Sequence, residues 1–306
     1  MNGFLLFLAG AICAGGGGEI FVRGTVGLAR WLRVPPGIIG VTVAAFATSS
    51  PELSVAVSSA LAGTPQIALG DSLGSNVVNV ALILGLALSF SAIRSPRDSI
   101  RRDFPVALLV PALTAVLALD GAISRLDAVL LLAIFFAWLA LAVTEARRQR
   151  SAVAAVIGEP SAGRAIAESV AGLVLLVLAG RLIVAGAGNI AQALGIDAFI
   201  VGALIVAIGT SVPELATTVI ATLRGHHEIG LGTILGSNIF NGLFIVGVAG
   251  SITPITLIWL EIAITLALGA VAVALTYPAH DGLIDRRRGF FLLALYLVYI
   301  VALTQA

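Results

Sequence analysis

The sequence predicts an all-α integral membrane protein: ten transmembrane helices in two inverted-topology five-helix repeats. Three observations carry this. The 306 residues are 59% hydrophobic with a mean hydropathy of +1.10, beyond what a water-soluble domain sustains. Apolar runs follow one another from end to end; at roughly 20 residues per crossing there is room for about ten, and for no soluble catalytic or regulatory domain. Residues 40–79 also align without a gap on residues 202–241, at a constant offset of 162, with 18 of 40 positions identical.

The first five runs lie at residues 2–32, 37–60, 67–91, 104–120 and 126–145. The second five lie at 165–194, 198–222, 229–251, 256–276 and 289–304. Each is too long for a strand, and lipid leaves an exposed backbone only the helix or the closed barrel. The first run of each set exceeds the hydrocarbon thickness, so those two helices should tilt strongly or extend into the interface. Met1 to Ala14 is apolar without a basic leader and runs on past any cleavage point, which reads as a retained first helix. The chain thus divides into a first repeat at 1–145, a linker at 146–164 and a second repeat at 165–306.

Net charge is +1, from 17 basic and 16 acidic residues, and every basic residue is arginine. Placement is the informative part. Counted over alternate loops, Arg30, Arg33, Arg94, Arg97, Arg101, Arg102, Arg147, Arg148, Arg150, Arg164, Arg224 and Arg286 to Arg288 share one face. Arg125 stands on the other, with Arg23 and Arg181 inside long spans. Fourteen against one makes the first face cytoplasmic, with both termini outside the cell membrane. The single cysteine, Cys13, forms no internal disulfide and no thiolate metal site, and the three histidines fall between the apolar runs.

The repeat identities are largely polar or conformational. Thr48, Ser49, Pro51, Glu52 and Leu53 match Thr210, Ser211, Pro213, Glu214 and Leu215; Gly70, Gly74, Ser75, Asn76 and Asn79 match Gly232, Gly236, Ser237, Asn238 and Asn241. The copies begin five crossings apart, and an odd number reverses direction, so the repeats are inverted about an axis in the membrane plane. That arrangement is a signature of secondary transporters, whose substrate sites lie near midplane at the repeat interface.

Glu52 and Glu214 fall within the second and seventh spans, where an ionised carboxylate costs several kcal/mol unless compensated. The axis can bring them together, and two such charges in a low dielectric need a cation. Thr48, Ser49, Thr210 and Ser211 add hydroxyls one turn earlier. Pro51 and Pro213 should free carbonyls around Ala47 and Gly209. Ser75 with Asn79, and Ser237 with Asn241, are four apart and share a helix face. Glycines 70, 74, 232 and 236 should let these helices approach closely. An all-oxygen set selects hard cations such as calcium, sodium or magnesium. Ser50, Ser58, Ser59, Thr217 and Thr218 read as packing, and Asn76 and Asn238 as ties between helices. Asp71, facing Thr233 in the repeat, lines an access pathway or sits at the interface as a plain carboxylate.

These blocks, ATSSPEL at 47–53 with GDSLGSNVVN at 70–79, and GTSVPEL at 209–215 with GTILGSNIFN at 232–241, resemble the cation/calcium exchanger superfamily and specifically its sodium/calcium exchanger branch. The resemblance implies a prokaryotic-type antiporter that exchanges calcium for sodium by alternating access. It implies ligands Glu52 and Glu214, the hydroxyls of Thr48, Ser49, Thr210, Ser211, Ser75 and Ser237, the carbonyls of Ala45 and Ala207, and Asn79 and Asn241. Many relatives hold an Asp at one of the last two positions; here both are Asn, leaving two central carboxylates. A proton/calcium exchanger, with or without potassium cotransport, is the alternative within the superfamily. An intramembrane enzyme would need a nucleophile and base in the membrane, and no histidine lies in a span; a channel would not couple two gradients. The expected partners are calcium and sodium as substrates and the lipid bilayer, with no cofactor, no nucleic acid and no obligate protein partner.

Overall fold

The computed structural model describes residues 3–63, 65–150, 162–193, 207–256 and 259–305. Ten helical segments follow in the expected order. They are α1 Gly3–Leu32; α2, in pieces from Pro36–Ile39 to Ser50–Leu61; α3 Pro65–Phe90; α4 Arg97–Leu117; and α5 Arg125–Arg150. The second set is α6 Ala162–Ala193; α7, as Ala207–Thr210 and Val212–Leu223; α8 His227–Ile252; α9 Trp259–Leu275; and α10 Arg286–Gln305. Most of the linker, 151–161, and the expected start of the seventh span, 198–206, lie outside the described residues.

Two boundaries differ from the sequence expectation. Helix α4 begins at Arg97 rather than 104, because Asp103 is fully buried and the polar turn before it is paired. Arg102 bonds Asp103 at 2.7 Å and also pairs with Glu145 of α5, while Trp138 Nε1 donates to Asp103 at 3.2 Å. A buried carboxylate so satisfied can enter a helix that hydropathy alone would start later. Helix α5 runs on to Arg150.

Four helices are interrupted at repeat-related points. In α2 and α7 the helix breaks at Ser49 (φ −86°, ψ 13°) and Ser211 (φ −83°, ψ 6°), and resumes with Pro51 and Pro213 in its first turn. In α3 and α8, π-helical turns occupy Val78–Leu84 and Phe240–Ile245, and a third covers Gly40–Ala44 of α2. π-Turns loosen the i to i−4 ladder and recur at functional sites.

Loop contacts sort the connections onto two faces. A cleft of about 700 Å³ is lined by Pro36, Arg94, Arg97, His226 and His280, and another of about 630 Å³ by Arg30, Arg164 and Arg224. These hold the arginine-rich loops. On the opposite face Gln66 donates to Thr256, Thr253 to the carbonyl of Ala60, and Arg125 to that of Ile252. Four two-residue strands, which hydropathy gave no sign of, clip each face. β1 (Ile93–Arg94) pairs antiparallel with β4 (Leu283–Ile284) on the arginine-rich side, and β2 (Ala122–Ile123) with β3 (Ile255–Thr256) on the other. Each repeat lends one strand to each ladder, and exchanging the repeats exchanges the faces, as an in-plane axis requires.

Helices α1 and α6 form an antiparallel pair. A side chain at Gly24 would overlap the backbone of Ser169, and one at Gly172 would overlap Phe21. Gly17 and Gly27 likewise meet Leu175 and Ala165. Within the run Gly15 to Gly18, Gly15 and Gly16 have open space and the other two carry the packing. The main core lies elsewhere, among α2 to α5 and α7 to α10. Gly18 meets Ala216 and Ile220 of α7, and Glu19 pairs with Arg23 and with Arg224. The contact across the halves from Glu19 thus goes to Arg224.

Candidate functional site

The two half-broken helices and the two π-turned helices meet where the repeats face each other. Glu52, Glu214, Thr48, Ser49, Ser75, Asn79, Ser211, Ser237 and Asn241 are all fully buried. Ala45 is buried, Thr210 is half-buried, and Ala207 is the first described residue of α7. The break at Ser49 lets its hydroxyl leave the helix: its Oγ donates to Glu214 Oε1 at 2.8 Å, across the repeat boundary. Ser237 Oγ of α8 donates to the same oxygen at 3.2 Å.

The asparagines report the symmetry directly. Asn76 Nδ2 donates to the carbonyl of Asn238 and Asn238 Nδ2 to the carbonyl of Asn76, each at 3.1 Å. Residues 162 apart thereby make the same bond in both directions, and the pair ties α3 to α8. Asn79 Nδ2 then donates to Asn238 Oδ1 at 3.2 Å, which anchors the amide by its nitrogen and leaves the oxygen free.

What the site lacks is as specific as what it has. Among the described residues, Glu52 Oε1 and Oε2, Glu214 Oε2, Ser75 Oγ, Asn79 Oδ1, Ser211 Oγ and both amide atoms of Asn241 are buried without a hydrogen-bond partner. Folded proteins satisfy nearly all such atoms, because each orphan costs about 1–3 kcal/mol and a charged one more. Glu214 and Asp71 lie within electrostatic reach of Glu52. No group of three His, Cys, Asp or Glu side chains that could hold a metal occurs among the described residues, so the donors beside the glutamates are hydroxyls and amides. Inward-facing oxygens with two carboxylates are the chemistry of a hard cation.

Residues 2–144 and 165–305 match the family model described as sodium/calcium exchanger protein. The chain belongs to this family. It is 36% identical to the inner membrane protein YrbG of Escherichia coli over 74% of this chain and 73% of that one. With the sodium/calcium exchanger MaX1 of Methanosarcina acetivorans it shares 27% identity over 98% of each. The solved structure of the sodium-calcium exchanger NCX_Mj, soaked with sodium and strontium, superposes with a TM-score of 0.85 at 31% identity, covering 98% of this chain and 97% of the other. The protein is therefore a multi-pass exchanger-family antiporter with the ten-helix, two-repeat fold, and not an enzyme.

Within the exchanger some expected donors are placed differently. The carbonyl that Pro51 frees at Ala47 accepts the Ser50 hydroxyl at 2.7 Å. The Ala45 carbonyl already accepts from the Ser49 amide at 3.0 Å and the Thr48 hydroxyl at 3.3 Å, leaving it a ligand only by sharing. Gly232 and Gly236 do carry close packing: a side chain at Gly236 would overlap the Val41 carbonyl and Ala45 of α2. Gly70 has nothing within 4 Å among the described residues, and Gly74 only the Tyr299 hydroxyl at 3.6 Å. Ser59 and Thr218 spend their hydroxyls on backbone carbonyls, as packing residues do, whereas Thr217 Oγ1 is buried without a partner. Sequence reasoning left Asp71 undecided. In the fold its Oδ1 accepts from Thr210 Oγ1 at 3.4 Å. The missed signal was position: Asp71 lies one helical turn from Ser75.

Proposed function

We propose that this exchanger carries calcium and sodium alternately through one site centred on Glu52 and Glu214, exporting calcium from the cytoplasm on an inward sodium gradient. The observation that supports it is the concentration of orphaned, buried oxygens on the segments that carry two carboxylates within electrostatic reach of each other. Thr48, Ser49, Thr210, Ser211, Ser75, Ser237, Asn79 and Asn241 surround the ion, with the carbonyls of Ala45 and Ala207 completing its shell. Both ions draw on the same carboxylates, so one must leave before the other enters, and that competition is the coupling. Two negative charges balance one calcium or two sodium ions; a third sodium would leave the site net positive.

The halves 1–145 and 165–306 are the exchanging repeats. The α1–α6 pair moves against the core formed by α2, α3, α7 and α8. Its separate packing favours this: α1 and α6 interlock with each other through Gly17, Gly24 and Gly172 and meet the core chiefly at α7. Loading neutralises the carboxylates, and only then is the passage of an occluded site past a low-dielectric barrier cheap. The arginine-rich face is cytoplasmic by the distribution of charge.

Calcium uptake into inverted membrane vesicles tests the reading. Uptake should require sodium inside the vesicle and persist when the pH gradient is collapsed. Uptake driven by a pH gradient without sodium would assign proton coupling, and uptake indifferent to both gradients would make the protein a channel.

A further inference from the structure

Topology accounts for the side on which the arginines stand, but not for the convergence of four of them on one cleft. Arg23 and Arg30 of α1, Arg164 of α6 and Arg224 at the end of α7 line the cleft of about 630 Å³ on the arginine-rich face. Only two carboxylates line it with them, Glu19 and Glu168, so the cleft carries a surplus of two positive charges. Arg23 stands within a span, where orientation in the membrane needs no charge. The positions 162 residues away in the other repeat hold Asn2, Ala62, Ala185 and Gln192, none of them charged. The repeat that builds the central site twice therefore does not build this cleft twice.

The surplus sits at the mouth. Deeper in, Glu19 pairs with Arg23 at 2.9 Å and with Arg224 at 2.9 Å, so that end is largely balanced within the protein. Arg30 lies seven residues further along α1, about 10 Å nearer the arginine-rich face. Its side chain is exposed and makes no ion pair among the described residues. Arg164 bonds Glu168 at 2.9 Å, yet its side chain remains 75% exposed. Trp31, next to Arg30, is exposed, and tryptophans collect at headgroup depth, which sets the mouth among the lipid phosphates. The next exposed residues along α6, Ile166 and Val170, are apolar, a surface that acyl chains cover.

We propose that this cleft binds the phosphate of an anionic phospholipid headgroup, held chiefly by Arg30 and Arg164, with the acyl chains lying along α6. The planar guanidinium fork matches phosphate oxygens, and basic pockets between transmembrane helices on the cytoplasmic side take such headgroups. The occupant is a lipid rather than a soluble phosphate because the mouth opens at headgroup depth beside an apolar helix face. The walls belong to both parts that move in exchange: Arg30 and Arg164 to the α1–α6 pair, Arg224 to the core. A headgroup seated between them holds the two parts in their present arrangement and slows departure from it. That regulatory half rests on the exchange reading above; the binding does not.

Thermal unfolding of the purified protein in detergent tests the binding, during titration with phosphatidylglycerol, phosphatidylcholine or glycerol 3-phosphate. Phosphatidylglycerol should raise the melting temperature saturably, and the other two should not. Removing both mouth arginines, Arg30→Gln with Arg164→Gln, should raise half-saturating phosphatidylglycerol roughly thirtyfold. Glu19→Gln releases Arg23 and Arg224 to the headgroup and should lower it, while Arg125→Gln on the opposite face should leave it unchanged. Equal half-saturation in the parent and the double variant, no preference over phosphatidylcholine, or saturation by glycerol 3-phosphate would each overturn the proposal. In phosphatidylcholine liposomes at saturating calcium, added phosphatidylglycerol should slow sodium-driven calcium uptake by the parent and by Arg125→Gln but not by the double variant. The same lipid response in all three would reduce the effect to surface potential and overturn the regulatory role. A parent protein that does not couple sodium to calcium would overturn the exchange reading, and the melting titration would still decide the binding.

Discussion

Replacing Glu52 by glutamine removes one charge and almost no volume, and the structure fixes what should follow. Both Glu52 oxygens are buried without a hydrogen-bond partner among the described residues, so the change costs little in protein hydrogen bonding. A buried charge without a partner opposes folding, so Glu52→Gln should leave the ion-free protein as stable as the parent or more so. Binding should suffer badly. Truncating one member of a buried charge pair costs about 2–5 kcal/mol, a ~30- to ~5,000-fold loss, and a dry site belongs near the upper end. Suppose calcium is present at 100 times the parent dissociation constant. Binding weakened about 1,000-fold then fills roughly a tenth of the sites, and stabilisation by calcium falls from about 2.7 kcal/mol to under about 0.1. The assay is paired: thermal unfolding with and without calcium, and sodium-driven calcium uptake in inverted vesicles. The expected result is an intact melting transition that no longer responds to calcium, with uptake abolished. Calcium-dependent stabilisation and uptake near parent levels would refute the placement of the ion at Glu52.

Other expectations follow from the same geometry. Asn238→Ala removes one donor and one acceptor from the α3–α8 tie, orphaning the Asn76 carbonyl and the Asn79 amide, and should lower stability by about 2–4 kcal/mol; differential scanning calorimetry reads this. Gly236→Val must push against the Val41 carbonyl and should prevent the α2–α8 contact, whereas Gly70→Ala meets no described neighbour and should be neutral or stabilising by up to about 1 kcal/mol; parallel melting curves separate them. Ser49→Ala leaves Glu214 with Ser237 as its hydroxyl donor and should weaken calcium binding about tenfold in titration calorimetry, with transport reduced but present. His226, in the loop before α8, is held below the usual histidine pKa by burial and by Arg30 and His227. The unfolded chain therefore takes up its proton first, and stability should be full above about pH 6.5 and decline as pH falls below it. His226→Gln should flatten that part of the stability profile.

By itself the sequence determined the class of protein and pointed to the two carboxylates proposed to centre its chemistry. Hydropathy set the ten crossings, because a bilayer admits few alternatives to the helix. The offset of 162 set the inversion, because an odd number of crossings reverses direction. Glu52 and Glu214 stood out because a carboxylate within a span is costly wherever the chain folds. Loop parity assigns the arginines to one face because it is a consequence of crossing number. Tertiary structure decided what depends on which side chain meets which. Hydropathy averages over a window, so it could not see that Asp103, sealed by Arg102 and Trp138, extends α4 by seven residues. Proline chemistry showed that a carbonyl is freed at Ala47, but only the fold shows Ser50 taking it. Identity between repeats could not tell a glycine that packs, Gly236, from its fellow Gly70, which meets no described neighbour. Asp71 is the sharpest case. Symmetry gave it no role because its counterpart is Thr233, and only the packing of α3 on α7 sets it against Thr210, beside the glutamates it never aligned with.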